Sequence, residues 1–282
     1  QQKVSRRFLD WGATSLALDA GAYGNVMYTN SSVCVNFGPK MSELILTGSN
    51  AVESIFASKV VPWDEGTEEG KGFYYLTKRG TGTWRMGKTY SANRTRLAGV
   101  GVEEGTLKFD SLAERGEASS LGFAANLYGY AYKGNISSAP AEVDYAIRLG
   151  AATDLTKEGA LEYSGDEDLD IKTRPIAVTG RGRLVNGTDR DFSYSGVEAV
   201  VPPEGGGIPT ANALTLDGDS ETVVNRIFDV AEKTGAAPLS IVKDGAGSWR
   251  LGGTVDFKGG VTVNEGSLTI DNVDYYTWFR FT

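Results

Sequence analysis

Acid–base or metal-assisted chemistry in this chain of 282 residues would have to come from carboxylates. There is no histidine, which removes the commonest general base and zinc ligand, and the one cysteine is Cys34. The densest acidic stretch is Asp166-Glu167-Asp168 with Asp170; Asp189 and Asp191, and Asp217 and Asp219, lie close together further on. Paired carboxylates, or an Arg or Lys base beside acidic metal ligands, would suit cleavage of a polysaccharide. Calcium would accept the oxygens of Asp166, Asp168 and Asp170, although no stretch matches the full calcium-binding loop. The simpler reading of each cluster is a solvated acidic turn. No catalytic residue is therefore expected, and calcium is the one cofactor left open.

Two tryptophans, Trp84 and Trp249, could stack on a sugar. They occupy equivalent positions of a repeat, however, which favours packing of both rings in the same layer of an interior. Arg85 and Arg250 alternate with them and should face solvent or acidic neighbours. Cys34, between Val33 and Val35, reads as an inert, inward-facing small hydrophobe. Alone it forms neither an intrachain disulfide nor a structural zinc site.

The elements that must position these groups are short strands. From Ser240 to Asn272 brief β-prone runs alternate with Gly, Asn and Asp. Val261 and Val263 flank Thr262, and Leu268 and Ile270 flank Thr269, a period that fits half-buried strands. Ser248-Trp249-Arg250-Leu251 is expected to end at Gly252-Gly253. The pattern also occurs earlier. KRGTGTWRMG at 78–87 parallels KDGAGSWRLG at 243–252, and EGTLKFD at 104–110 parallels EGSLTID at 265–271. Two matching halves in the same order indicate a repeat architecture. A third copy would set Arg181-Gly182-Arg183-Leu184-Val185 and Gly159-Ala160-Leu161-Glu162-Tyr163 against these pieces.

The Gly-x-Gly-[Thr/Ser]-Trp … Val-x-x-Gly-[Thr/Ser]-Leu pattern resembles the autotransporter-associated β-strand repeat, over about 76–110 and 239–271. A looser match spans 150–186, where Thr173-Arg174-Pro175-Ile176 is similar to the family's Arg-Pro step into a strand. The family more often has Leu where this chain has Trp84 and Trp249. Its Gly-Gly step is present at Gly259-Gly260 and missing from 88–100. The resemblance implies a right-handed parallel β-helix in secreted or surface passenger regions, with adhesive or scaffold roles and no shared catalytic residues. A β-helix can also carry carbohydrate-active sites, either enzymatic or binding. Trp278-Phe279-Arg280-Phe281-Thr282 resembles the start of a discoidin-like module.

Composition agrees with turn-rich β structure. Glycine numbers 37, roughly double ordinary usage, and lacks the period of collagen. The net charge of −8 and pI of about 4.8 argue against nucleic acid as a partner. No run is long enough to span a membrane. A secreted chain would have lost its signal before Gln1.

The resulting expectation is an all-β fold, a right-handed parallel β-helix (solenoid), with a β-sandwich or β-roll of hairpins as the alternative. It is read as one domain over 1–282. Residues 1–24 would form an N-terminal cap, and 200–209, rich in Pro and Gly, a protruding loop or linker. Residues 273–282 would form a C-terminal cap or open a further module. About 20–25 residues per turn are expected. Ser42 to Thr47 and Val223 to Val230 are expected strands, and 51–59 a strand with Ile55 and Phe56 inward. Ser111 to Glu114 could cap a short helix. The repeat architecture, the absence of a convincing catalytic group and what the resemblance implies together point to a secreted or cell-surface scaffold of adhesion type without catalysis, with an extracellular glycan or protein as partner. The alternative is a carbohydrate-active β-helix: a polysaccharide-binding module, lyase or glycoside hydrolase.

Overall fold

The computed structural model describes residues 2–3, 9–10, 15–22, 24–28, 34–37, 43–57, 59–62, 74–87, 97–114, 117, 119–122, 147–172, 174, 176–199, 210–229 and 237–271. The expected loop at 200–209 and terminal segment 273–282 lie outside them, as does the side chain of Cys34. All regular structure among the described residues is β, in two compact units, residues 1–146 and 147–282.

In the first unit the chain repeats a circuit. The first coil is β1 (Gln2–Lys3), β2 (Leu9–Asp10) and β3 (Ser15–Asp19). The second is β4 (Val26–Tyr28), β5 (Cys34–Phe37) and β6 (Glu43–Thr47). The third is β7 (Ser54–Phe56), β8 (Lys59–Pro62) and β9 (Tyr74–Lys78), followed by β10 (Thr83–Met86), β11 (Leu97–Val102) and β12 (Gly105–Phe109). Strands one coil apart lie side by side. β1, β4, β7, β10 and β12 make one sheet, β3, β6, β9 and β11 a second, and β2, β5 and β8 a third. The described parts of 1–24 are thus paired rungs.

In the second unit the strands are β13 (Ile147–Leu149), β14 (Glu158–Tyr163), β15 (Leu169–Ile171), β16 (Ile176–Val178), β17 (Arg181–Asn186), β18 (Phe192–Ala199), β19 (Asn212–Gly218), β20 (Thr222–Asp229), β21 (Leu239–Lys243), β22 (Ser248–Asp256), β23 (Val261–Val263) and β24 (Ser267–Ile270). β14, β17, β19, β21 and β23 form one sheet. β13, β16, β18, β20, β22 and β24 form the other, and β15 pairs with the first half of β18.

Pairing is parallel at each of these steps, for example Trp84 opposite Ser54 and Leu107, and Leu161 opposite Leu184. No antiparallel hairpin occurs among the described pairs. Hydrogen bonding therefore runs from coil to coil, and each coil buries its alternate residues against the next. In the first unit the buried rows include Leu44, Leu76 and Val100 on one sheet and Phe56, Met86 and Phe109 on the facing one. In the second, Phe192 lies within 5.9 Å of the Tyr163 ring and 6.5 Å of Trp249, centroid to centroid.

Several expectations need correction. Coil length is broader than foreseen: Ser248 pairs with Ser267, 19 positions on, whereas Arg181 pairs with Ala213, 32 positions on. Gly252-Gly253 does not end its strand. β22 continues to Asp256 through a register shift opposite Val224 to Arg226, where Gly253 (φ 67°) absorbs the bend. Ile55 is half exposed while Ser54 and Phe56 are buried, because neighbouring residues of a strand face opposite ways. Asp170 belongs to a strand, β15, in which Leu169 and Ile171 turn inward. Ser111 starts no helix; Ser111 and Ser120 each donate a backbone N–H to the other's hydroxyl, closing a loop.

Candidate functional site

Most of the acidic residues singled out from sequence come to the turns of the second unit, with Asp170 in β15 and Asp217 at the end of β19. The turns leaving β14, β17, β19, β21 and β23 lie one over the next. The Asp191 N–H donates to Asp168 Oδ1 at 3.2 Å, the Ser220 hydroxyl to the Thr188 carbonyl, and the Gly247 N–H to the Gly218 carbonyl at 2.9 Å. Asp166, Glu167, Asp168, Asp189, Asp191, Asp219, Glu221 and Glu265 are all exposed along this ridge. Residues 147–282 hold 21 acidic and 13 basic side chains, whereas residues 1–146 hold 15 of each. The whole net charge of −8 therefore resides in the second unit.

The structure does not gather the calcium candidates. Asp170 pairs with Lys172 at 2.8 Å, and the hydrogen bond from that ammonium holds its carboxyl below the usual range. Asp168 is tied to the Asp191 backbone, and Asp189 reaches Arg190 at 3.6 Å. Among the described residues no group of three His, Cys, Asp or Glu side chains is arranged to hold a metal ion. Asp217 and Asp244 converge on the Arg183 Nη1, at 2.6 and 3.2 Å, and Glu158 takes its Nε at 2.6 Å. Partial burial works against the charge on Arg183, but these hydrogen bonds and charges, Glu158 foremost, raise its pKa. The cluster joins four successive rungs, β14, β17, β19 and the end of β21, into one ladder. In the first unit Arg79 joins Glu103 at 2.8 Å to Glu43 at 3.7 Å in the same way.

Trp84 and Trp249 are interior, at 0% and 1% exposure, each within its own unit. Their surroundings are similar in pattern. Each ring lies between a small hydroxyl residue on the preceding rung, Ser54 or Thr222, and a leucine on the following one, Leu107 or Leu268. Each Nε1–H donates to a carbonyl in the preceding corner, Thr47 at 2.9 Å and Asp217 at 3.2 Å. Neither ring is available to stack on a sugar. Arg85 and Arg250 face outward as expected, toward Glu53 at 3.0 Å and Asp271 at 2.5 Å.

Sequence reasoning passed over Lys78 and Lys243. Both occupy inward rows: Lys78 is flanked by the buried Leu46 and Val102, and Lys243 by the buried Leu216, and both lysines are fully buried. The Lys78 Nζ donates to the carbonyls of Arg79 (2.9 Å), Gly80 (2.6 Å) and Glu104 (3.0 Å). The Lys243 Nζ donates to those of Asp244, Gly245 (2.7 Å) and Glu265 (3.3 Å). The signal was available: a lysine at the same place in both copies, in phase with buried apolar residues. With three protons directed at carbonyls and no exposure, neither amine is placed for chemistry on a substrate.

Burial lowers the Lys78 pKa from 10.5 to about 8, against the opposing charge of Glu104. Burial likewise lowers Lys243, against Asp217, Asp244, Glu265 and Asp219. Below pH 8 the amine is protonated in both folded and unfolded chains. Between about pH 8 and 10.5 the folded form releases its proton first, so stability rises with pH. The rise is about 3 kcal/mol for Lys78. Denaturant melts from pH 7 to 10.5 should show this increment in the wild type and its loss in Lys78→Met. Equal pH slopes would refute it.

The parallel strands and the recurring corner define an all-β class of repeat proteins and are consistent with a solenoid. Residues 241–270, from within β21 to the end of β24, match the passenger-associated-transport-repeat family. That segment is an autotransporter-associated repeat, and this passenger repeat, together with the chain's similarity to an autotransporter adhesin, places the chain outside the cell or on its outer surface. The chain is also similar to the adhesin BmaC autotransporter of Brucella suis biovar 1 (strain 1330), with 25% identity over 272 residues, 95% of this chain. It spans about 7% of that relative's length. No solved structure matches it significantly. No helix among the described residues is long and apolar enough to cross a membrane.

Proposed function

We propose that the chain is a length of surface scaffold in an adhesion-type passenger, each unit being a right-handed parallel β-helix that performs no catalysis. The observation that carries this reading is the recurrence of the corner. Residues that would otherwise be free for chemistry are occupied in holding one rung to the next. The relative named as an adhesin supports an adhesive task. The stacked acidic ridge of the second unit is the surface offered to an extracellular protein or glycan, through polar and ionic contacts. Such contacts weaken as salt shortens the screening length.

Immobilised chain should capture an extracellular matrix protein or an arrayed glycan, with retention falling severalfold between about 0.05 and 0.5 M salt. Joint replacement of Asp166, Asp168, Asp189 and Asp191 by asparagine or serine should reduce capture without altering the melting curve. No capture of any arrayed ligand would sink the adhesive reading. The carbohydrate-active alternative predicts release of reducing ends from a polysaccharide, and turnover lost on changing Asp217 or Asp244 would replace the scaffold reading by that one.

A further inference from the structure

We propose that Lys78 and Lys243 are rung clamps, each locking the two rungs it bridges into one cooperative opening unit: β9 to β12 around Lys78, and β21 to β24 around Lys243. Two of the three carbonyls on each ammonium belong to the lysine's own corner, and the third belongs to the corner of the next rung. The backbone repeats the same link. The Glu103 N–H donates to the Lys78 carbonyl at 2.9 Å and the Thr106 N–H to Gly82 at 3.3 Å; Asn264 donates to Lys243 at 2.9 Å and Ser267 to Gly247 at 3.2 Å.

Opening the second rung would strip a buried ammonium of one acceptor while leaving it enclosed by the first. Opening the first would take the ammonium away from the next corner's carbonyl, that of Glu104 or Glu265, and leave it without this donor. A buried polar group that loses its partner is costly either way, so the two rungs open together. Elsewhere the second unit ties its corners with neutral amides: Asn186 reaches Thr222 at 3.1 Å, and Asn212 holds the Gly180 N–H at 2.7 Å. The clamps mark the two clear copies of the repeat, and Lys243 lies inside the family-matched segment.

Hydrogen exchange with mass spectrometry on the full chain at pH 7 tests this. In the wild type, 74–87 and 97–109 should exchange at a common rate, as parts of one unit. Lys78→Met keeps the apolar stem and removes the donors. In it 97–109 should exchange about tenfold faster and separate from 74–87, while 239–271 is unchanged; Lys243→Met should give the mirror result. Lys78→Gln, which keeps two donors, should fall between and serves if the methionine variant does not fold. Exchange at wild-type rates in these variants overturns the proposal, as does equal acceleration of both units, which would mean general destabilisation.

Discussion

Trp84→Ala is expected to destabilise the first unit by about 3–5 kcal/mol and to lower its melting midpoint by roughly 10 °C. The ring is fully buried between Ser54 and Leu107, and the neighbouring coils are fixed by their own ladders, so little collapse can fill the space. The loss also leaves the Thr47 carbonyl without its donor. Trp84→Phe separates the two effects. It restores most of the volume, so the remaining loss should be about 1 kcal/mol for the missing hydrogen bond. Trp249→Ala should do the same in the second unit, where the Asp217 carbonyl is released. Thermal melts followed by tryptophan fluorescence and circular dichroism would measure these changes. An unchanged midpoint with lost glycan binding would instead make these rings ligand contacts.

Gly105→Ala is expected to cost at least about 3 kcal/mol, from left-handed backbone strain and overpacking together. Gly105 has φ 69°, and an added Cβ would meet the Gly82 carbonyl oxygen at 2.7 Å, the Lys78 Nζ at 2.8 Å and the Gly80 carbonyl closer still. Gly266 repeats this environment at φ 70°, with the Gly245 oxygen at 2.5 Å and the Lys243 Nζ at 2.8 Å. The control lies in the glycine pair before β23. A Cβ on Gly259 would collide with the Leu239 backbone, whereas one on Gly260 meets nothing within 4 Å. Gly260→Ala should therefore change stability by no more than about 0.5 kcal/mol. Comparable losses at Gly105 and Gly260 in urea titrations would show that the corner packing has been misjudged.

These two expectations divide what the sequence disclosed from what it hid. That Trp84 and Trp249 pack rather than bind was legible, because recurrence at one place in two copies is a packing constraint. That Gly105 tolerates no side chain while Gly260 does was not, because each answer depends on a carbonyl from another coil. The lysines show the same division. Their recurrence was visible in KRGTGTW and KDGAGSW, but an ammonium in a leucine row makes sense only once the next corner supplies its third acceptor. The acidic residues read as surface turns, and most of the described ones are exposed, although Asp170 lies in β15 and the half-buried Asp217 in β19. Their stacking into one ridge depends on coil lengths that range more widely than the periodic pattern implied.

By itself the sequence determined the β class, the Gly-punctuated repeat, and the inward and outward faces of most of its strands. Those properties follow from local alternation and turn chemistry, which act over a few residues. Only the tertiary structure decided which strands are neighbours, where Gly252-Gly253 bends rather than ends a strand, and which carbonyls surround each lysine. Those are contacts between segments 19 to 37 residues apart. Their register is fixed by burial and backbone pairing across coils, a constraint that no local stretch of residues contains.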